Sequence, residues 1–284
     1  MHCIGIYPNP NKSNVTPVIH TAVQYLRSRG IEVLIPEDRT ERVLLPELAA
    51  DREYMKNRIT LALTLGGDGT LLSVAKEMAE TGIPVCGVNL GQLGFLTHIE
   101  VSGLEAGLER LISGDYLLEE RLMLEPVIIR DGEALSLPPA LNDVVITKGG
   151  FARLIRLNLY VSGQLTEIYA ADGLIIATST GSTGYSLSAG GPIISPNLKV
   201  TVITPICPHT LNSRSLIISE EEEVAITLQS SHDDIALTVD GQKAYRLFTD
   251  DQVIVRRSSH RALLVRFPDC GFYETLHTKL KREG

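Results

Sequence analysis

From Cys3 to about Tyr116 the chain alternates short apolar runs with segments in which apolar residues recur every three or four positions. Continuous apolar runs predict strands buried on both faces, and the 3.6-residue period predicts helices packed on them. Together they predict β-α units around a parallel sheet. Residues 3–7 form the first predicted strand. Val15, Val18, Ile19, Ala22, Val23 and Leu26 share one face of a helix over 15–29, stopped by Gly30. A strand over 31–35 follows. The unit recurs as strand 59–65, helix 70–80 and strand 83–88, with Gly82 as punctuation. A helix over 104–112, ended near Gly114, closes this half.

After about Leu118 the period changes to two. Runs at 125–130, 141–148, 154–161, 166–178, 199–207, 224–229, 235–239, 252–257 and 262–267 predict an antiparallel β half. Arg156, Asn158 and Tyr160 alternate with Leu157, Leu159 and Val161, and Ser162-Gly163 then offers a hairpin turn. Residues 272–281 predict a short amphipathic helix.

With 284 residues, 44% hydrophobic and 21% charged, the chain has the composition of a globular protein of one large or two modest domains. Its 26 basic and 34 acidic residues give a net charge of -8, which argues against nucleic acid or an anionic membrane as the partner. Cys3, Cys86, Cys207 and Cys270 lie far apart, with no paired spacing for zinc or for thiol redox chemistry. No signal segment or membrane-spanning run is read, so a cytoplasmic location is expected.

Candidate chemistry begins at Gly66-Gly67-Asp68-Gly69-Thr70, between a predicted strand and a predicted helix. Glycines let the main chain approach a ligand, and the free amides at a helix start favour an anion such as a phosphate. Neither G-x-x-x-x-G-K-[ST] nor G-x-G-x-x-G is present. A carboxylate beside a polyphosphate is repelled unless a cation or proton donor sits with it. Asp68 therefore fits a base for an attacking hydroxyl, or a holder of magnesium on a triphosphate. A carboxylate that merely caps the helix has the same local sequence.

Asp172 to Thr178 reads as strand and runs into Ser179-Thr180-Gly181-Ser182-Thr183-Gly184-Tyr185-Ser186-Leu187-Ser188-Ala189-Gly190-Gly191. Its hydroxyls suit ribose, amide and phosphate oxygens, although a polar loop uses the same residues. Asn142-Asp143 interrupts an apolar run. It fits an adenine edge and a ribose hydroxyl, or equally a bulge with local hydrogen bonds. Asp240-Gly241 is first a hairpin turn, with Asp240 a possible rim contact. His209, flanked by Pro208, is read as structural.

Together these segments resemble the NAD kinase family, in its order and over most of the chain. The Gly-Gly-Asp-Gly turn is shared with phosphofructokinases and lipid kinases. More specific are Asn89-Leu90-Gly91-Gln92-Leu93-Gly94-Phe95-Leu96-Thr97, the Asn142-Asp143 pair, the stretch from Asp172 to Gly191, and Pro208-His209-Thr210-Leu211 with Arg214. The resemblance implies a Rossmann-like α/β domain over 1–118, an all-β domain over 119–258, and a tail over 259–284 that packs back on the first. It implies transfer of the γ-phosphate of ATP to the 2′-hydroxyl of the adenosine ribose of NAD, with Asp68 catalytic. Gly66, Gly67 and Gly69 would face ATP phosphates. Gly69, Phe95, Asn142, Asp143, Asp172, Thr180, Thr183, Gly184, Tyr185, Ser188 and Asp240 would line the NAD site. It also implies Mg2+ or another divalent metal, and a homodimer or homotetramer. Asp143 stands where many members have Glu, Ser179 where Pro is common, and Gly184 where Ala is common. A diacylglycerol-type lipid kinase and a non-catalytic NAD- or NADP-binding regulator are the competing readings.

Overall fold

Residues 2–40, 45–91, 94–150, 153–210, 212–230 and 234–282 are described by a computed structural model. The chain begins with β1 (Cys3–Pro8), α1 (Val15–Ser28), β2 (Glu32–Pro36), α2 (Glu37–Thr40), β3 (Ala49–Ala50), α3 (Arg52–Arg58), β4 (Leu61–Gly66) and α4 (Asp68–Met78). It continues with β5 (Val85–Asn89), β6 (Ile99–Glu100), α5 (Leu104–Ser113), β7 (Leu117–Arg121), β8 (Leu124–Arg130), β9 (Glu133–Ser136), β10 (Asp143–Lys148), β11 (Ile155–Val161), β12 (Gln164–Ala171) and β13 (Gly173–Thr178). After α6 (Tyr185–Ser188) come β14 (Val200–Ile206), β15 (Leu216–Ser219), β16 (Val224–Gln229), β17 (Ile235–Val239), β18 (Lys243–Leu247), β19 (Gln252–Arg257), β20 (Ala262–Arg266) and α7 (Phe272–Arg282). Two compact units result, Met1–Glu120 with Arg261–Gly284, and Arg121–His260.

The first unit is built on a sheet ordered β3-β2-β1-β4-β5-β20-β7, with β6 beside β5. Strands β1 to β6 pair in parallel. From β1 the chain steps outward through β2 to β3, and from β4 it steps the other way to β5. The order therefore reverses between β1 and β4, where the loops at the carboxyl ends part and leave room for a ligand. Helix α1 buries Val15, Val18, Ile19, Ala22, Val23 and Leu26, the face its period predicts. Gly30 at φ 72° and Gly114 at φ 79° take the left-handed conformation that ends α1 and α5. Each fully buried Leu or Ile here, such as Ile4, Ile19, Leu61 or Leu63, contributes about 1.5–3 kcal/mol.

The second unit holds two antiparallel sheets, ordered β15-β14-β13-β10-β17-β18 and β12-β11-β16-β19-β8-β9. Val144, Ile146, Leu174 and Ile176 of one sheet share a core with Leu157, Leu159, Ile226 and Val253 of the other. Val145, Ile175, Ala177 and Val202 face the opposite way and pack with Ile194. The Ser162-Gly163 turn has φ 49° and 78°, the left-handed pair that a tight hairpin requires.

Four predicted elements are corrected. Residues 262–267 have antiparallel texture, yet β20 lies parallel to β5, with Leu264 opposite Val85. The run 166–178 splits at Asp172 into β12 and β13. Helix α4 starts at Asp68, not Thr70. Strand β10 starts at Asp143, so Asn142 precedes the strand instead of interrupting it. Among the described residues, no helix is long and apolar enough to cross a membrane.

Candidate active site

In the first unit, β4 delivers Gly66-Gly67 directly into α4, whose N-cap is Gly67 with no side-chain cap. Gly66 is needed for packing: a Cβ there would lie 2.3 Å from Thr70 Oγ1. A Cβ on Gly67 or Gly69 would meet nothing within 4 Å, so these two glycines are the open ones. Asn9, just past β1, donates from Nδ2 to Thr70 Oγ1 at 3.2 Å and ties that loop to the turn.

Asp68 is the first residue of α4 and does not cap it. Its carboxylate turns to the loop after β5, accepting from Phe95 N–H at 2.7 Å and from Leu96 N–H at 3.2 Å. A Cβ on Gly94 would lie 1.9 Å from Asp68 Oδ1, which is why that loop position is glycine. A carboxylate has about four acceptor sites. Two of them fix Asp68 and leave capacity for a hydroxyl proton. Phe95 is half-buried, its ring 6.3 Å from Phe272 and under the Lys279 ammonium at 4.4 Å, so α7 packs on this loop. Gln92 and Leu93 lie outside the described residues.

An open groove of about 570 Å³ adjoins the turn, lined by Asn9, Lys12, Asp38, Arg39, Gly67 and Gly69 among others. Asp38 accepts both hydrogen bonds of Arg52 Nη2, at 3.0 and 2.9 Å, while Arg52 Nη1 donates to Glu77 at 2.5 Å. Partial burial pushes the Asp38 carboxyl up, but the Arg52 hydrogen bonds and charge outweigh it and hold it below its ordinary value. Arg39 is pulled below the usual guanidinium range by burial first and by Arg52 second. Tyr7 beneath it is raised by burial and by Glu77. Lys12 and Arg39 carry no sequence motif. The signal that finds them is topological, since both follow strands on the carboxyl side of the sheet.

In the second unit, Asn142 and Asp143 are set by Asp240. The Asp240 carboxylate accepts from the N–H groups of Leu141 at 3.1 Å, Asn142 at 2.8 Å and Asp143 at 3.0 Å. Its φ of 49°, followed by 63° at Gly241, is the hairpin turn read from sequence. Asp240 thus gives three acceptor positions to the backbone of the residues it positions.

The hydroxyl-rich stretch is less free than its composition suggests. Thr178 Oγ1 donates to Leu141 O at 2.6 Å and accepts from Gly181 N–H at 3.0 Å. Ser179 bonds Leu198 O, Ser182 bonds Ser179 O, and Ser186 bonds Thr204. Thr183 donates to Thr180 O at 3.2 Å, and Thr180 is buried beside Arg121 Nη1 at 3.5 Å. Tyr185 and Ser188 are exposed. A Cβ on Gly181 would strike Asn142 O at 2.0 Å, so this turn packs on the Asn142 backbone. A Cβ on Gly184 would sit 3.7 Å from Asn142 Nδ2 and 3.9 Å from Asp143 Oδ2. Asn142, Asp143, Thr180, Thr183 and Gly184 thus gather at one end of β10 and β13.

Asp172 is not brought to that end. Asp143 pairs with Ala177 and Thr147 with Gly173, so Asp172, one residue beyond, lies about 17 Å further along the strands. There it pairs with Lys148 Nζ at 3.2 Å. His209 is exposed and donates its backbone N–H to Ala170 O at 2.9 Å; Leu211 lies outside the described residues.

The chain matches the ATP-NAD kinase N-terminal domain over residues 4–116 and the ATP-NAD kinase C-terminal domain over 141–267. The NAD kinase of Moorella thermoacetica is 43% identical over 284 residues, 100% of this chain and 91% of that one. That of Heliobacterium modesticaldum is 43% identical over 282 residues, 99% of each. Yeast NADH kinase complexed with NADH superposes with a TM-score of 0.90 at 26% identity, covering 99% of this chain and 88% of that one. An NAD kinase from Archaeoglobus fulgidus in complex with ATP shares the fold, with a TM-score of 0.79 at 23% identity over 99% of both chains. The chain belongs to the NAD kinase family.

Proposed function

We propose that this NAD kinase moves the γ-phosphate of ATP onto the 2′-hydroxyl of the adenosine ribose of NAD, with Asp68 accepting the hydroxyl proton. The new bond joins the 2′-oxygen to the γ-phosphorus, the bond to the β,γ-bridging oxygen breaks, and ADP leaves. One observation carries the assignment of Asp68. Its carboxylate stands at the head of α4, between the open glycines of the turn, and is fixed from outside the helix by Phe95 and Leu96 N–H. A base held that way reaches the transition state with little further reorganisation. Asn142 and Asp143, oriented by Asp240, hold the adenosine portion of NAD. Thr180, Thr183, Gly184, Tyr185 and Ser188 complete its surroundings in the second unit.

Among the described residues, no three His, Cys, Asp or Glu side chains form a metal cluster. The residues present fit magnesium that arrives on the ATP phosphates, because such ions bind through substrate oxygens and one or two carboxylates, here Asp68. When bound, the ion neutralises charge on the β- and γ-phosphate oxygens. The edge strand β12 exposes Leu165 and Ile168, and β15 exposes Ile217, which supports a homodimer or homotetramer. Four free cysteines support a reducing, cytoplasmic setting. Incubation with NAD, ATP and magnesium, followed by an NADP-specific dehydrogenase, tests the activity. No NADP under varied metals and phosphate donors would overturn it.

A further inference from the structure

We propose that Lys12 and Arg39 are the cationic ligands of the donor's phosphate chain, holding it in the groove beside Gly67 and Gly69. The inference rests on the proposed function, in which a triphosphate is the donor. Three loops on the carboxyl side of the sheet converge there: Asn9 and Lys12 after β1, Asp38 and Arg39 after β2, and the glycine turn after β4. This is the point where the strand order reverses, so the loops part here.

The lining chemistry selects phosphate over a base. Among the described residues, Pro10 is the sole apolar side chain of the lining, and no aromatic residue lines the groove. A purine pocket needs such surfaces, whereas a polyanion needs donors and positive charge. Asp38 is the carboxylate that opposes an anion here, and Arg52 engages both of its oxygens. Among the described lining residues Lys12 and Arg39 stand against Asp38, and the flanking Arg52–Glu77 pair is neutral, so the lining itself is net positive, with the Asp68 carboxylate beside it on the turn. The open amides of the turn add to it.

The two cations differ in kind. Arg39 is anchored: its side chain is 17% exposed, Nη1 donates to Pro8 O at 2.9 Å, and the guanidinium lies 5.9 Å from the Tyr7 ring centre. Its remaining N–H groups form a fixed fork suited to non-bridging phosphate oxygens. Lys12 is exposed on the facing loop, with Nζ 3.8 Å from where a Cβ on Gly91 would stand. It supplies a mobile point charge near the loop that holds Asp68.

The test compares Lys12→Ala, Arg39→Ala and Arg39→Lys with the unaltered enzyme, in magnesium buffer. Steady-state kinetics give KM for ATP and for NAD, and calorimetry without NAD gives the affinity for inorganic tripolyphosphate. Each alanine variant is expected to raise KM for ATP by about tenfold or more, the size of one charge-assisted hydrogen bond. KM for NAD should stay within about twofold, since these residues act on the donor alone. Tripolyphosphate affinity should fall by the same factor as ATP, and Arg39→Lys should recover part of the loss. Lys12→Ala with unchanged KM for ATP and unchanged tripolyphosphate affinity overturns the proposal. So does a loss confined to ATP, which would place the contact at the nucleoside. If the Arg39 variants fail to fold, Lys12→Ala at an exposed position decides alone. Tripolyphosphate binding that depends on Lys12, in an enzyme that makes no NADP, supports this inference while refuting the proposed reaction.

Discussion

Asp240 Oδ1 accepts a hydrogen bond from the backbone N–H of Asn142 at 2.8 Å, across 98 residues of sequence. A hairpin turn thus sets the direction of a side chain assigned to the adenine of NAD. Asp240→Ala leaves three N–H groups without their carboxylate, and charge-assisted hydrogen bonds are worth about 1.5–3 kcal/mol. The expected outcome is a loss of about 2–3 kcal/mol in urea unfolding, with KM for NAD raised more than kcat is lowered. Asp240→Asn keeps a residue tolerant of φ 49° and should lose less. A variant with wild-type stability and wild-type KM would contradict this role.

Gly94 and Gly69 predict opposite failures. Gly94→Ala drives a methyl against Asp68 Oδ1, and a displacement of about 1 Å at a catalytic group costs roughly 100-fold in rate. Turnover should collapse, with affinity for ATP and NAD largely kept. Gly69→Ala meets open space on a helix, so stability should hold or rise by about 1 kcal/mol. Its methyl intrudes where phosphate sits, so KM for ATP should rise. Equal kinetic effects from the two would refute the division.

The ion-pair cluster around Arg52 makes a pH-dependent contribution. Asp38 is held below its ordinary 3.8, so its stabilisation is complete above that value and is lost as pH falls through the lower, folded-state value. Asp38 is more than half exposed, so solvent screening keeps the effect under about 1 kcal/mol. Urea melts of wild type and Asp38→Asn should differ at pH 7 and converge as pH falls through the lowered, folded-state value. A gap that widens on acidification would show the sign to be wrong.

Thiol reactivity should follow burial. Cys86 is fully buried and pushed up to about 12, and Cys3 up to about 11 by burial and Glu32. Cys207 is exposed. With a chromogenic disulfide at pH 8, Cys207 should react first and Cys270 more slowly, while Cys3 and Cys86 wait for unfolding. Rapid reaction of Cys86 in the folded enzyme would contradict its placement.

What the residues reveal by themselves follows the range of the forces involved. Helix α1 was legible because six apolar side chains on one face fix both its period and its buried side. The Asp68 turn was legible because glycines between a strand and a helix have few other uses. Residues 262–267 alternate like any strand, and nothing local distinguishes pairing with β5 from joining an antiparallel neighbour. The serines and threonines after Thr178 look alike in sequence, yet Ser179, Ser182 and Ser186 serve the turn itself, while Tyr185 and Ser188 face outward. The role of Asp240 and the convergence of Lys12 with Arg39 depend on contacts made by distant segments. No local period encodes them.

The central claim is that Asp68 acts in the phosphoryl-transfer step, and Asp68→Asn tests it most directly. NADP formation is measured under saturating ATP, NAD and magnesium, beside NAD affinity by titration. A lost general base predicts a fall in kcat of about 10²–10⁴, with NAD affinity changed by only a modest factor. Near-normal kcat in a folded Asp68→Asn enzyme would contradict the account.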